Sequence, residues 1–124
     1  MIQYTFSKQQ RLLKPEEFKD VLGSKDKLVN SAFVLYIKPD THARLGLAIA
    51  KKQVKKASHR NIIKRVVRES FRLIYPDLPA VAVIVMSRPV IVKLDKAELR
   101  RSIDSLWQQL LKKKVPVSLA SASP

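Results

Sequence analysis

The sequence predicts one mixed α/β domain of the α+β kind, and three observations predict it. Residues Ser31 to Ala50 alternate large apolar side chains with small or polar ones at period two, as half-buried strands do. "AVAVIVM", from Ala80, is continuously apolar, the pattern of a strand covered on both faces. Two further stretches, "ASHRNIIKRVVRESFRLIY" and "AELRRSIDSLWQQLL", repeat apolar residues at helical spacing. A chain of 124 residues that is 46% hydrophobic suits one domain with a single modest core.

Residues 1–13 read as a basic, weakly structured arm carrying Lys8 and Arg11. Pro15 suits a first helical position, and Glu16 and Glu17 favour the positive end of a helix. Phe18, Val21 and Leu22 share one face, and Gly23 can close this short helix. "SAFVLYIK" then puts Phe33, Leu35 and Ile37 on one side of a strand and Val34, Tyr36 and Lys38 on the other. After a turn signalled by Pro39 and Asp40, "RLGLAIAKK" sets Leu45, Leu47 and Ile49 against Gly46, Ala48 and Ala50. These strands are expected to pair as an antiparallel hairpin with one large apolar core face. The opposite face holds Tyr36 among small residues, flanked by Lys38, Arg44 and Lys52, the profile of a shallow groove with an aromatic in it and cations on its rim.

A long helix is expected from Ala57 to Tyr75, stopping before Pro76 because the residue preceding a proline resists helical geometry. After the strand at Ala80, which Arg88 and Pro89 end, Asp95 and Glu98 form a capping-box start to a last helix. Its face is Leu99, Ile103, Leu106, Trp107 and Leu110, and Lys112 to Lys114 close it where cations are favoured. The domain so defined covers residues 1–114, and residues 115–124 read as a frayed tail.

Charge sets the functional question. Lys and Arg number 25 against 10 Asp and Glu, a net charge of +15 that opposes compaction by self-repulsion. Nucleic acid or an anionic membrane is the usual partner of such a field. At about 100° per residue, Ile63, Val66, Val67, Phe71 and Ile74 of the long helix fall on one side. Arg60, Lys64, Arg68 and Arg72 wind along its flank at intervals of four, with Asn61 and Arg65 beyond them. Like charges at that spacing repel, each pair costing about 0.2–0.5 kcal/mol. A merely solvated face would intersperse acids, yet Glu69 is the only one here. Upstream, Lys51, Lys52, Lys55 and Lys56 precede the helix N-terminus, whose free N–H groups attract phosphate. With Arg11, these cations and Asn61 are the candidate RNA-binding residues.

Nothing in the pattern matches paired recognition helices or a zinc finger. A groove with an aromatic and basic rims suits unstacked single-stranded nucleic acid, so RNA is favoured over DNA. Tyr36 is a candidate both for stacking on bases and for plain core packing. Phe33, Phe71 and Trp107 are assigned to the core. A membrane-surface protein is the weaker alternative, because the helix sets its cations against a core-facing stripe rather than exposed Trp or Leu.

The run "AKKQVKKASHRNIIKRVVRESFRL" resembles the signature of the bacterial ribonuclease P protein subunit: a strand ending in Ala-Lys-Lys, then a basic helix with Arg-Asn-x-Ile-Lys-Arg, Arg-Glu and an aromatic. "RLLKPEEF", "RLGLAIAKK" and "LPAVAVIVM" stand in the family's order, so the resemblance spans about Arg11 to Leu111. One position departs: Ile62 stands where the family usually has a third basic residue, which is expected to weaken one RNA contact without removing the framework of Arg60, Asn61, Lys64, Arg65 and Arg68. The resemblance implies a two-layer α/β sandwich like that of a ribosomal-protein domain, with a central mixed sheet. Its βαβ crossover would be left-handed, against the usual rule. It further implies a 1:1 partnership with a catalytic RNA that removes the 5′ leader of precursor tRNA. The single-stranded leader would lie between the first helix and the sheet, against Phe18, Tyr36, Lys38 and Arg44, with Phe18, like Tyr36, a candidate both for stacking on it and for plain core packing.

No catalytic set is legible. Glu16 and Glu17 are explained by the helix dipole, Asp95 and Glu98 by capping, and Glu69 by a neighbouring Arg. His59, beside Arg60, reads more readily as another RNA contact than as a general base. There is no cysteine, and His42 and His59 are not spaced as metal ligands, so no cofactor or metal is expected on the protein. The resemblance assigns Mg²⁺-dependent hydrolysis to the RNA partner. The N-terminus "MIQYTFSKQQ" lacks an apolar run, and Leu78 to Met86 is too short to span a bilayer, so a cytoplasmic location is expected. A ribosomal or general RNA-chaperone protein with no link to cleavage is the rival reading.

Overall fold

The computed structural model describes Arg11 and residues 14–112. Its elements in chain order are α1 (Pro15–Leu22), β1 (Asp26–Val29), β2 (Phe33–Pro39), β3 (Arg44–Ala48), α2 (Ala57–Ile74), β4 (Val81–Ser87) and α3 (Lys96–Lys112), with single 3₁₀ turns at Tyr75–Asp77 and Pro89–Lys93. The expected basic arm, apart from Arg11, and the expected tail lie outside the described residues. The sheet is mixed and runs β1-β2-β4-β3.

The long periodic segments form where the sequence places them. On α2, Ile63, Val67 and Phe71 are buried, with Val66 and Ile74 packed at the margin. On α3, Leu99, Ile103, Leu106, Trp107 and Leu110 are all buried. The α3 start is a reciprocal cap: the Glu98 N–H donates to Asp95 Oδ1 at 2.8 Å and the Asp95 N–H to Glu98 Oε1 at 2.9 Å. Phe33, Leu35 and Ile37 of β2 face α2 and α3 in the main core. The other sheet face carries a smaller cluster, in which Val21 and Phe18 of α1 pack on Ala82, Ile84, Tyr36, Ala48 and Met86. Helices α2 and α3 therefore cover one face and α1 covers part of the other.

The expected β2–β3 hairpin does not exist. Strand β4 inserts between the two, antiparallel to β2 with Tyr36 opposite Ile84, and parallel to β3 with Gly46 opposite Ile84. The reason is burial. A strand apolar on both faces is most protected at the centre of a sheet, and Val81 to Val85 are all buried there. Asp40 to Ala43 need only step over one strand, about 10 Å, and the Asp40 N–H donates to Ala80 O on the way, at 2.9 Å.

The true hairpin joins β2 to β1, a strand absent from the sequence reading because four residues are too few to establish a period. Asn30 builds its turn, accepting the Ala32 and Phe33 N–H groups on Oδ1 at 3.0 and 2.9 Å. Its Nδ2 donates to Ser102 O of α3 at 2.9 Å, tying the turn to the helix layer.

Candidate nucleic-acid interface

Helix α2 is the backbone of the site, and two things hold it. Its apolar stripe docks on the sheet, and Ser70 binds it to α3. The Ser70 hydroxyl donates to Asp104 Oδ1 and accepts from Trp107 Nε1 at 2.8 Å, while Arg100 Nε contacts both Asp104 oxygens at 3.1 Å. Phe71 lies at 5.8 Å from the Trp107 ring. With one face so committed, the charged flanks are fixed in direction.

The lysine-rich link before α2 is also anchored. Ser87 Oγ, at the end of β4, accepts the Ala50 N–H at 3.0 Å and donates to Gln53 Oε1 at 2.6 Å, and Val54 is fully buried. Lys51, Lys52, Lys55 and Lys56 consequently all point outward. The α2 N-cap is Lys56, with no side-chain cap and no acid in the first turn, so its leading N–H groups and partial positive charge face outward with the lysines.

The helix cations divide between two flanks. Lys64 and Arg68 line a groove of about 490 Å³ with Arg11, Phe18 of α1 and Leu45, Gly46 and Leu47 of β3. On the other flank, Arg65 lines a second groove of about 330 Å³ with Ile62, Val66 and Glu69 of α2 and Lys96 and Arg100 of α3. Asn61 is exposed on the outer surface. Arg60 is turned partly toward its own chain, its Nη1 donating to Val54 O at 2.9 Å and Lys55 O at 3.0 Å. Among the described residues, Arg72 is the only one of the α2 cations with a carboxylate within 4 Å, Glu69 at 3.4 Å. The other α2 cations have no carboxylate at ion-pair distance among the described residues.

The leader-groove residues are placed less uniformly. Phe18 lines the larger groove. Tyr36 sits one strand further across the sheet, separated from Gly46 by Ile84. It packs beside Phe18 and Val21, and Lys27 Nζ lies 5.8 Å from its ring centre. Lys38 and Arg44 turn to carboxylates of α1, Lys38 Nζ meeting Asp20 at 2.7 Å and Arg44 meeting Glu17 at 2.6 Å, and Arg44 also reaches Asp40, just after β2, at 3.4 Å. Burial works against the Arg44 charge, but the hydrogen bond and field of Glu17, aided by Asp40, outweigh it and raise its pKa.

Sequence reasoning missed that Lys64 and Arg68 share a groove with Gly46. The signal that could have found it is Gly46 itself, which leaves this part of the groove lining without a side chain and so open to close approach. No group of three or more His, Cys, Asp or Glu side chains lies together among the described residues, so these residues offer no multidentate metal cage. Among the same residues no helix is long and apolar enough to cross a membrane.

Comparison with known proteins places this architecture. A model of the Ribonuclease P family matches residues 6–111. Among solved structures, a Staphylococcus aureus RNase P protein superposes with a TM-score of 0.73 at 27% identity, covering 83% of this chain and 93% of that one. A second structure of the S. aureus protein gives 0.74 at 25% identity, covering 88% and 97%. The RNase P protein from Thermotoga maritima gives 0.69 at 26% identity, covering 84% and 97%.

Proposed function

The chain belongs to the Ribonuclease P family, with a role in tRNA processing and an RNA partner, and from that premise we propose that it is the protein subunit of the ribonucleoprotein endonuclease. In this role it binds the catalytic RNA and the 5′ leader of precursor tRNA, one protein per RNA in the cytoplasm, and assists removal of the leader. The observation that carries the reading is the array of α2 cations, held outward by a buried stripe and largely without carboxylate partners.

The division of labour follows from physical chemistry. Two RNAs repel one another, and cations between them lower that repulsion and release counterions. Lys51, Lys52, Lys55, Lys56, Arg60, Asn61, Arg65 and Arg72 present donors toward the catalytic RNA. Phe18 supplies an apolar wall, Gly46 an open floor, and Lys64, Arg68 and Arg11 a basic rim for a single strand. Tyr36 extends the aromatic surface across the sheet. Hydrolysis belongs to the RNA partner and its Mg²⁺, which supplies activated water and charge stabilisation. The protein's own contribution is to position phosphates, and no side chain of the chain serves as acid, base or nucleophile.

The test is reconstitution at low Mg²⁺ with catalytic RNA and precursor tRNA. Leader cleavage that depends on the protein is the expected outcome. Tight RNA binding with no stimulation of cleavage would instead support a ribosomal or chaperone role.

A further inference from the structure

Arg44 resembles a groove-rim cation in sequence, but its guanidinium is already engaged in three directions. Nη2 donates to Glu17 Oε2 at 2.6 Å, Nη2 and Nε donate to Arg11 O at 3.1 and 3.3 Å, and Nη1 reaches Asp40 Oδ2 at 3.4 Å. Each partner belongs to a different part of the chain. Glu17 is on α1, next to Phe18. Arg11 forms a parallel bridge to Leu45 of β3. Asp40 begins the connection that steps over β4. The side chain is only 19% exposed.

Two of these partners bear directly on the larger groove, because Phe18 and Arg11 both line it and Glu17 is the immediate neighbour of Phe18. The groove floor, Gly46, lies two residues beyond Arg44 on the same face of β3. A planar fork of fixed donors can hold several acceptors at set angles, which an ammonium cannot. Lys38 adds a second tie, to Asp20 one turn further along α1.

We propose that Arg44 is a positioning residue, which sets the width of the single-strand groove by clamping α1 and Arg11 to β3 and does not itself contact RNA. The inference rests on the leader-groove reading above. It makes Glu17 a cooperating residue, although an isolated carboxylate beside an RNA groove would only repel phosphate. The sign of the Glu17 effect therefore separates the alternatives.

The experiment uses the full chain reconstituted with catalytic RNA, and measures affinity for precursor tRNA with a leader and for mature tRNA over a range of salt. Variants are Glu17→Ala, Arg44→Lys, Arg44→Ala and the pair Glu17→Ala/Arg44→Lys, each checked for folding by its thermal melt. Glu17→Ala and Arg44→Lys should each lower the preference for leader-bearing RNA by about tenfold, the equivalent of one charge-assisted hydrogen bond. The pair should lose no more than either single variant, and the slope against log salt should not change. A gain, or no change, in leader affinity for Glu17→Ala overturns the proposal. So does a slope flattened by about one for Arg44→Ala, since that marks a phosphate contact. Arg44→Lys keeps the charge and remains informative should Arg44→Ala fail to fold. If the unsubstituted protein binds both RNAs equally and Phe18→Ala has no effect, the groove reading fails first and takes the proposal with it.

Discussion

Arg60 and Arg68 stand eight residues apart on one ridge, yet their surroundings separate them. Arg68 is exposed on the groove side with no carboxylate near it among the described residues, whereas Arg60 spends two hydrogen bonds on the carbonyls of Val54 and Lys55. Arg68→Ala should weaken RNA binding and flatten the salt dependence by about one unit, with an unchanged melting temperature. Arg60→Ala should lower the melting temperature as well, because it frees the link that carries four lysines. Paired thermal melts and salt titrations of the two variants check this, and identical melts would remove the structural role of Arg60. Both arginines look alike in sequence. Which is a tether depends on where the preceding loop folds back, and that is set by Ser87 on a strand more than thirty residues away.

At the scale of elements, α2 and α3 act as one layer through a polar seam inside an apolar interface. Ser70 is 2% exposed and Trp107 1%, so neither can exchange its partner for water. Ser70→Ala would leave the Trp107 Nε1–H without its acceptor and is expected to cost about 1–3 kcal/mol in chemical denaturation. Trp107→Phe removes the donor together with the need for it, and restores part of that loss in the double variant. Losses that simply add in the double variant would show that the seam is not coupled. The apolar faces of both helices were legible from period alone, since Ile63, Val67, Phe71, Ile103 and Trp107 fall where packing needs them. The seam was not, because Ser70 lies among apolar positions and its partners are on another helix.

Across the whole molecule, an excess of fifteen positive charges means that folding and binding respond oppositely to salt. Screening weakens self-repulsion in the free protein, so its melting temperature should rise from low to physiological ionic strength. Affinity for RNA should fall over the same range, because counterion release loses its advantage. Parallel melts and binding titrations in one buffer series test both. A melting temperature that fell with salt would mean that intramolecular ion pairs such as Lys38–Asp20 and Arg44–Glu17 outweigh the repulsion.

The positions that face the core along α2, β2, β4 and α3, and the basic character of the α2 flank, were written in the order of residues, because period and charge are local properties of a chain. Strand neighbours were not. The same alternation in β2 and β3 is compatible with their pairing directly or with β4 between them, and the choice fell to the burial of a strand apolar on both faces. Nor could the order of residues reveal that Lys38 and Arg44 face carboxylates of α1, that Tyr36 lies one strand away from the groove lined by Phe18, or that Lys64 and Arg68 look onto Gly46. Each of these brings together segments distant in sequence, and such meetings are set by how layers pack.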